Sequence, residues 1–482
     1  MESRQTIPSF GRGQHLILGS LVVVGLIAFW PTVEFDFVNW DDPAYVWHND
    51  LIKSLSPANL YGVATEAVTR NYAPLTISTL LMDHSIWGMQ PSGYHATNVL
   101  LHVLNGILVF LLTRQLSRSD FVGWLTAALF LVHPVQIETV AWISSRKGLL
   151  SASFILGALI VRLRPEPSAK QDLWYGILLA AALLSKALAV VVPPIVLLYD
   201  VLIARRRFRD ALVRQVIPGL MALLLLLMTM SAQHSILGGV RGHMDLSLLQ
   251  ILAVDSVIMW RYIGMLIWPA DLCVLYDPPT SRISGLVIVS SVGWLLSGRL
   301  MWKLRKRFPM LLWSSLAFLL LLVPVLNFVR ITTLMNDRYL YLPCVVFFAA
   351  ASAGLQRLLT VLATASDSLA RPFAAVIRWS LSIGLVLTAL GCTSAHLPVW
   401  RNSFTLWNHA MEYVPHLPVV RMQLALTHYD SGRTRQAIRI LQRALLECEP
   451  DEADRRRMND AVLSWTEELS QRTASRPAAL LK

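Results

Sequence analysis

Two adjacent carboxylates, Asp41 and Asp42, sit in the segment FDFVNWDDP (35–43), about ten residues beyond the first apolar stretch of the chain. Neighbouring carboxylates at a membrane boundary repel one another and lose hydration, a cost that a nearby cation or a proton in transit relieves. Asp-Pro also favours a solvated turn or a helix N-cap, and from the pair alone that reading stays open. What surrounds the pair must decide between them.

The chain has 482 residues, 55% of them hydrophobic and 15% charged, with a mean hydropathy of +0.52. A soluble protein carries about a quarter charged residues. The apolar residues are concentrated in blocks near bilayer length, such as 16–30, 216–232 and 309–328, which reads as a polytopic all-α membrane protein. No small-residue cleavage site precedes Trp30-Pro31, so the first stretch is a retained helix rather than a signal peptide. Net charge is +12, but the bases recur in short clusters between apolar blocks. That is the pattern of cytoplasmic loops, not of a nucleic-acid surface. The four cysteines have neither metal-ligand nor disulfide spacing.

Eleven spans are placed at about 14–31, 97–113, 120–136, 148–163, 173–185, 187–204, 215–232, 284–301, 309–328, 339–359 and 377–396. With the N-terminus cytoplasmic (Arg4, Arg12), alternation also puts the basic clusters at 114–118, 162–170, 205–209, 303–307 and 357–378 inside. The first outer loop, about 32–96, then holds only Lys53 and Arg70 as bases. Residues 247–268 carry Asp255 and Arg261, and counting them as a span would move 303–307 outside, so an interfacial or re-entrant helix is expected there. The transmembrane domain covers 1–399, and a polar helical tail, 400–482, falls outside. Leu424, Ala425, Gly432, Ala437, Ala444 and Pro450 approximate a tetratricopeptide (TPR) repeat, with Ala410 and Ala444 one 34-residue period apart. A generic helical hairpin is the alternative. An array this short must pack on the membrane domain or on a protein partner to bury its faces.

This topology gathers the unusual polar residues at one face. Transfer of a sugar from a polyprenyl phosphate to an acceptor hydroxyl needs a carboxylate base, and cations or a metal to stabilise the departing phosphate. Asp41 or Asp42 would be the base. Arg146, Lys147, Lys186, Arg261 and Arg338 would face the donor phosphate. His95, Asn98, His133, Glu138, Asp337 and Tyr339 would face sugar or acceptor, with Arg241, His243 and Arg330 in nearby loops. Blander readings exist for each: a helix-end lysine snorkels to the interface, His95 packs internally, and Asp337 and Arg338 form a local ion pair.

Taken in order, WDD (40–42), NYAPL (71–75), PSGYHATN (91–98), FLVHPVQIE (130–138), VAWISSRKG (140–148), LSK (184–186), WPADL (268–272), NDRYLYLP (336–343) and WRNS (400–403) resemble one family. It is the transmembrane and tetratricopeptide-repeat (TMTC-like) branch of the GT-C glycosyltransferases, in a bacterial-style version, and the match covers nearly the whole chain. The resemblance implies a GT-C fold and a dolichyl- or undecaprenyl-phosphate sugar donor in the bilayer. It implies inverting transfer to a protein or glycan acceptor, with mannose the sugar of the animal relatives. The chain would sit in a bacterial inner membrane with its C-terminus periplasmic, and the base would be Asp41 or Asp42. The chain departs from the family at Gly148, where an acid commonly follows Arg-Lys, and in its short repeat array. Two adjacent acids suit Mg²⁺ or Mn²⁺, but the fold includes metal-independent members, so no ligand is assigned. A non-catalytic assembly protein on the same scaffold is the alternative. A transporter ranks below it, because no matching halves are visible.

Overall fold

The computed structural model describes residues 11–69, 71–164, 168–234, 247–278, 285–327, 333–365 and 370–474. Arg4, Arg70, Arg241, His243, Arg330 and the end of the tail lie outside the described residues. Helices make up the fold as expected, and among the described residues the only strand-like pairing is an isolated bridge between Val68 and Asn71.

Among the described residues, eight helices are long and apolar enough to cross a membrane, or nine if the bent pair Asp120–Val132 and Pro134–Ala141 counts as one span. The 57° bend falls at His133-Pro134, where proline lacks the N–H that would continue the helix. Eleven spans were expected. Ala187–Leu202 and Pro309–Val325 are shorter than the rest, and Ala169–Ser185 has 17 residues. Conversely, Leu248–Ile267 is one continuous helix that satisfies the same length and composition test. Its Asp255 does not interrupt it, because Asn327 donates through Nδ2 at 2.6 Å and through its backbone N–H. A buried acid with such partners survives inside a bundle. Gly285–Leu304 is only 6% buried and displays Leu286, Ile288, Val289, Leu295 and Leu296, an apolar surface that suits lipid.

The helix Pro91–Ser117 is central, packing on Arg12–Phe29, Asp120–Val132 and Arg146–Arg162. Small residues permit the close approach. A Cβ on Gly106 would lie 2.4 Å from Leu131 Cδ2, and one on Gly25 would lie 3.0 Å from the same atom.

The first long loop is folded. Short turns at Trp30–Glu34, Pro43–Trp47 and Asp50–Ile52 lead to helices Pro57–Thr65 and Pro74–Trp87. These close over a separate apolar core that includes Tyr45, Val46, Ile52, Ile77, Leu80, Tyr94 and Ile143. Ser56 caps one helix by accepting from the Asn59 N–H, and Gly88, at φ +58°, ends the other. Beyond Trp400, helices Ser403–Tyr413, Pro418–Asp430, Thr434–Glu447 and Glu452–Ala474 follow one another. The last three share a core of Ala425, Ala437, Leu441, Ala444, Met458 and Trp465.

Candidate active site

The two acids have different surroundings. Asp42 is buried. Its Oδ1 accepts from the Ser144 N–H at 3.0 Å and the Ser144 hydroxyl at 2.5 Å, and its Oδ2 accepts from the Val38 N–H at 3.0 Å. The side chain therefore pins loop one to the break before helix Arg146–Arg162. Asp41 is 36% exposed, and its Oδ2 lies 4.0 Å from Lys147 Nζ. One carboxylate holds the loop, while the other is open to an incoming group.

Burial raises the Asp42 pKa from 3.8 to about 6, against the lowering effect of its hydrogen bonds to Ser144 and Val38. An acid held above its unfolded pKa costs nothing while protonated in both states. It disfavours the fold increasingly as pH rises through the interval up to its folded pKa. The full difference is about 3 kcal/mol. Asp42→Asn removes that dependence. Between pH 4 and pH 7, thermal unfolding in detergent should therefore show wild type losing stability relative to the variant. Parallel trends in the two proteins would contradict the assignment.

Arg146 and Lys147 are adjacent in sequence but point to different environments, since successive helix residues are rotated by about 100°. Arg146 is fully buried. Its Nη1 lies 2.6 Å from Asp83 Oδ2, its Nε donates to Asn98 Oδ1 at 2.5 Å, and its Nη2 donates to Tyr94 O at 2.8 Å. Asn98 donates onward to the Val140 and Trp142 carbonyls. Both residues therefore brace the scaffold instead of facing the mouth. Lys147 does reach the acids, donating to the Tyr45 hydroxyl at 3.1 Å and lying beside Asp41.

Lys186 sits in the break between Ala169–Ser185 and Ala187–Val191. Among the described residues its side chain makes no hydrogen bond or ion pair. A Cβ on Gly148 would lie 3.8 Å from its Nζ, so the missing side chain leaves room directly beside an unpaired ammonium. Arg338 pairs with buried Glu138 through both its guanidinium and its backbone N–H, the latter at 2.9 Å. Its guanidinium lies 5.2 Å from the rings of Trp142 and Tyr339. Lys147, Arg338 and Glu138 are near enough to bear electrostatically on Lys186, and Asp41 on Arg338. Asp41, Lys147, Lys186, Glu138 and Arg338 thus form one cluster. Beside it, Asp337 accepts from the Tyr276 hydroxyl at 2.5 Å, and burial followed by the Glu138 charge pushes its carboxyl well above the usual range.

Of the other expected site residues, Tyr339 borders the cluster through its ring beside Arg338, while His95, His133 and Arg261 stand apart. His95 is buried with its ring 6.3 Å from Phe35. His133 Nδ1 accepts from the Val135 N–H at the helix bend, and Tyr339 bonds Thr333 Oγ1. Arg261 is exposed on its helix. Sequence reasoning did not single out Tyr45, Ser144, Asp83 or Asn39. Ser144 and Asn39 lie inside motifs quoted above and Tyr45 lies just beyond one, and that placement was the available signal.

Asp42 already accepts from three donors, and among the described residues no group of three His, Cys, Asp or Glu side chains is arranged to hold a metal ion. Of the two acids, only Asp41 keeps both carboxylate oxygens free of hydrogen bonds among the described residues, so the protein offers a divalent cation few ligands there.

No family model matches the chain. It is 23% identical over 452 residues to a protein O-mannosyl-transferase of Caenorhabditis elegans, covering 86% of this chain and 60% of that protein. It is 27% identical over 198 residues to the human protein O-mannosyl-transferase TMTC3, covering 38% of this chain and 22% of that protein. Against Drosophila melanogaster protein O-mannosyl-transferase Tmtc1 the identity is 36% over 122 residues, 25% and 14% of the two chains. The chain spans less than two thirds of the length of these relatives. Among solved structures it is similar to the Archaeoglobus fulgidus oligosaccharyltransferase tethered with an acceptor peptide (TM-score 0.44, 11% identity, 80% of this chain and 55% of that one). It is also similar to ArnT from Cupriavidus metallidurans bound to undecaprenyl phosphate (TM-score 0.39, 14% identity, 92% and 82%).

Proposed function

We propose that this chain, a distant relative of the TMTC protein O-mannosyl-transferases, is a multi-pass membrane glycosyltransferase. In this reading it moves a hexose, mannose first among candidates, from a polyprenyl phosphate to a hydroxyl on a protein or glycan. The work is done at the periplasmic face of a bacterial inner membrane, with the N-terminus cytoplasmic and the repeat-like tail outside. The observation that carries the reading is Asp41, partly exposed, facing Lys147 at 4.0 Å with Lys186 and Arg338 in the same cluster.

A base and a cationic field in one mouth suit displacement at an anomeric carbon. Asp41 takes the acceptor's hydroxyl proton as that oxygen bonds to the anomeric carbon. The bond from carbon to phosphate oxygen breaks on the opposite face, which inverts the configuration. The phosphate leaves with the electron pair, and Lys186, Lys147 and Arg338 stabilise its charge. Asp42 acts through position, holding the loop on Ser144. Arg146 is omitted from the phosphate set because Asp83 and Asn98 already engage it.

Membranes containing the protein, given radiolabelled polyprenyl-phosphate mannose, should release polyprenyl phosphate and transfer label to hydroxyl-linked product. An unconsumed donor, with other hexoses also inert, would leave the assembly-protein reading in its place. A variant sharpens the test. Gly148→Asp places a carboxylate in the space beside Lys186 and should raise the donor KM at least tenfold by pairing with Lys186 where the phosphate would sit, an effect of about 1.4 kcal/mol. An unchanged KM would remove Lys186 from the phosphate site.

A further inference from the structure

Asn39, two residues before Asp41, is bonded entirely into the C-terminal helices. Its backbone N–H donates to Ser403 Oγ at 2.9 Å, and its Nδ2 donates to the Gln423 carbonyl at 3.1 Å and to Thr427 Oγ1 at 3.0 Å. Its Oδ1 accepts from Trp407 Nε1 at 2.5 Å. The residue is 8% exposed, so these bonds replace water rather than compete with it, and leaving any of those groups unpaired is costly.

The neighbouring residues make the same attachment. The Asp36 N–H donates to the Arg401 carbonyl at 2.9 Å, and the Trp40 ring meets the Trp407 ring edge-on at 5.3 Å. A second attachment reaches the cationic side, where Trp400 packs on Trp142 with ring centroids 6.1 Å apart. That is the same Trp142 that lies under the Arg338 guanidinium. Loop one's own ties near the acids are the Trp40 N–H to the Val38 carbonyl, the Ala44 and Tyr45 N–H groups to the Asp41 carbonyl, and the three bonds to Asp42. Those ties hold Asp42 and the C-terminal side of Asp41. The backbone entering Asp41 from the other side runs from Asn39, which the tail holds.

We propose that Asn39 is a positioning residue through which the C-terminal helical unit aims Asp41 at Lys147, so that the docked tail forms part of the site. Its catalytic consequence rests on the glycosyltransferase reading, but the positioning itself can be measured without activity. In the full-length protein with Cys392→Ser, which removes the exposed thiol, an Asp41→Cys substitution puts a thiol next to Lys147. A cation at that range should hold the thiol below its ordinary pKa of about 8.5. The pH dependence of maleimide alkylation reports that value.

Adding Asn39→Ala should move the alkylation midpoint up toward 8.5, by about one pH unit. Trp407→Phe, which keeps the ring but removes the donor, should move it in the same direction by less. Lys147→Met should produce the shift by itself, and Asn39→Ala should then add nothing. An alkylation midpoint indifferent to Asn39→Ala and Trp407→Phe, in proteins that remain monodisperse, would overturn the proposal. In the otherwise native protein Asn39→Ala should lower kcat with little change in donor KM. A shifted thiol midpoint without measurable transfer in any variant would support the positioning and count against the glycosyltransferase reading alone.

Discussion

Asp41→Asn should reduce sugar transfer by a factor of about 10² to 10⁴, the usual contribution of a positioned general base, while the protein folds and inserts normally. The side chain is 36% exposed, and among the described residues its ion-pair partner is Lys147 at 4.0 Å. An ion pair that open contributes little to stability, so the amide should leave the unfolding temperature nearly unchanged. Donor KM should change little, since Lys186 and Arg338 remain. The comparison with Asp42→Asn separates the two acids. There an amide replaces a carboxylate that accepts from the Val38 and Ser144 N–H groups, and its NH₂ confronts donors. That variant should lose activity together with local order in loop one, visible as faster proteolysis between residues 30 and 70. Near-native turnover in Asp41→Asn would remove it as the base.

Arg146→Met should prevent stable accumulation of the protein. The guanidinium is buried beside Asp83 at 2.6 Å and also engages Asn98 and the Tyr94 carbonyl. Removing one member of a buried pair leaves an uncompensated charge and costs about 3–5 kcal/mol. That is a large share of the roughly 5–15 kcal/mol that holds a domain folded. The contacts join helix Pro74–Trp87 to Pro91–Ser117 and Arg146–Arg162, so the failure should spread from loop one into the bundle. The double variant Arg146→Met with Asp83→Leu removes both charges and should recover much of the detergent-stable yield. A single variant as stable as wild type would show that the ion pair does not brace the scaffold.

These two outcomes mark where sequence reasoning reached and where it stopped. The acid pair and the cations of the cluster were legible because ionisable residues are rare in apolar surroundings and each one stands out. The roles of neighbours were not. Arg146 and Lys147 carry the same charge, and only the helix rotation between them sends one to Asp83 and the other to Asp41. Asp83 itself reads as an ordinary helix residue in Pro74–Trp87 until its partner is seen. Loop one was taken as a long connection because its short turns have no apolar periodicity to announce them. Residues 247–268 were set aside on charge alternation, yet Asn327 supplies the hydrogen bonds that let Asp255 sit inside a continuous apolar helix. Asn39 went unremarked, because its partners lie more than 360 positions away in sequence.

A structure of the full-length protein in a lipid nanodisc with undecaprenyl phosphate bound is the most direct test of lipid-phosphate chemistry at this site. The account predicts the phosphate within hydrogen-bonding reach of Lys186, beside Gly148, with Lys147 and Arg338 flanking it and the Asp41 carboxylate facing the vacant sugar position. A phosphate bound away from this cluster, or a lipid that fails to bind while Lys186 stays unpaired, would contradict it.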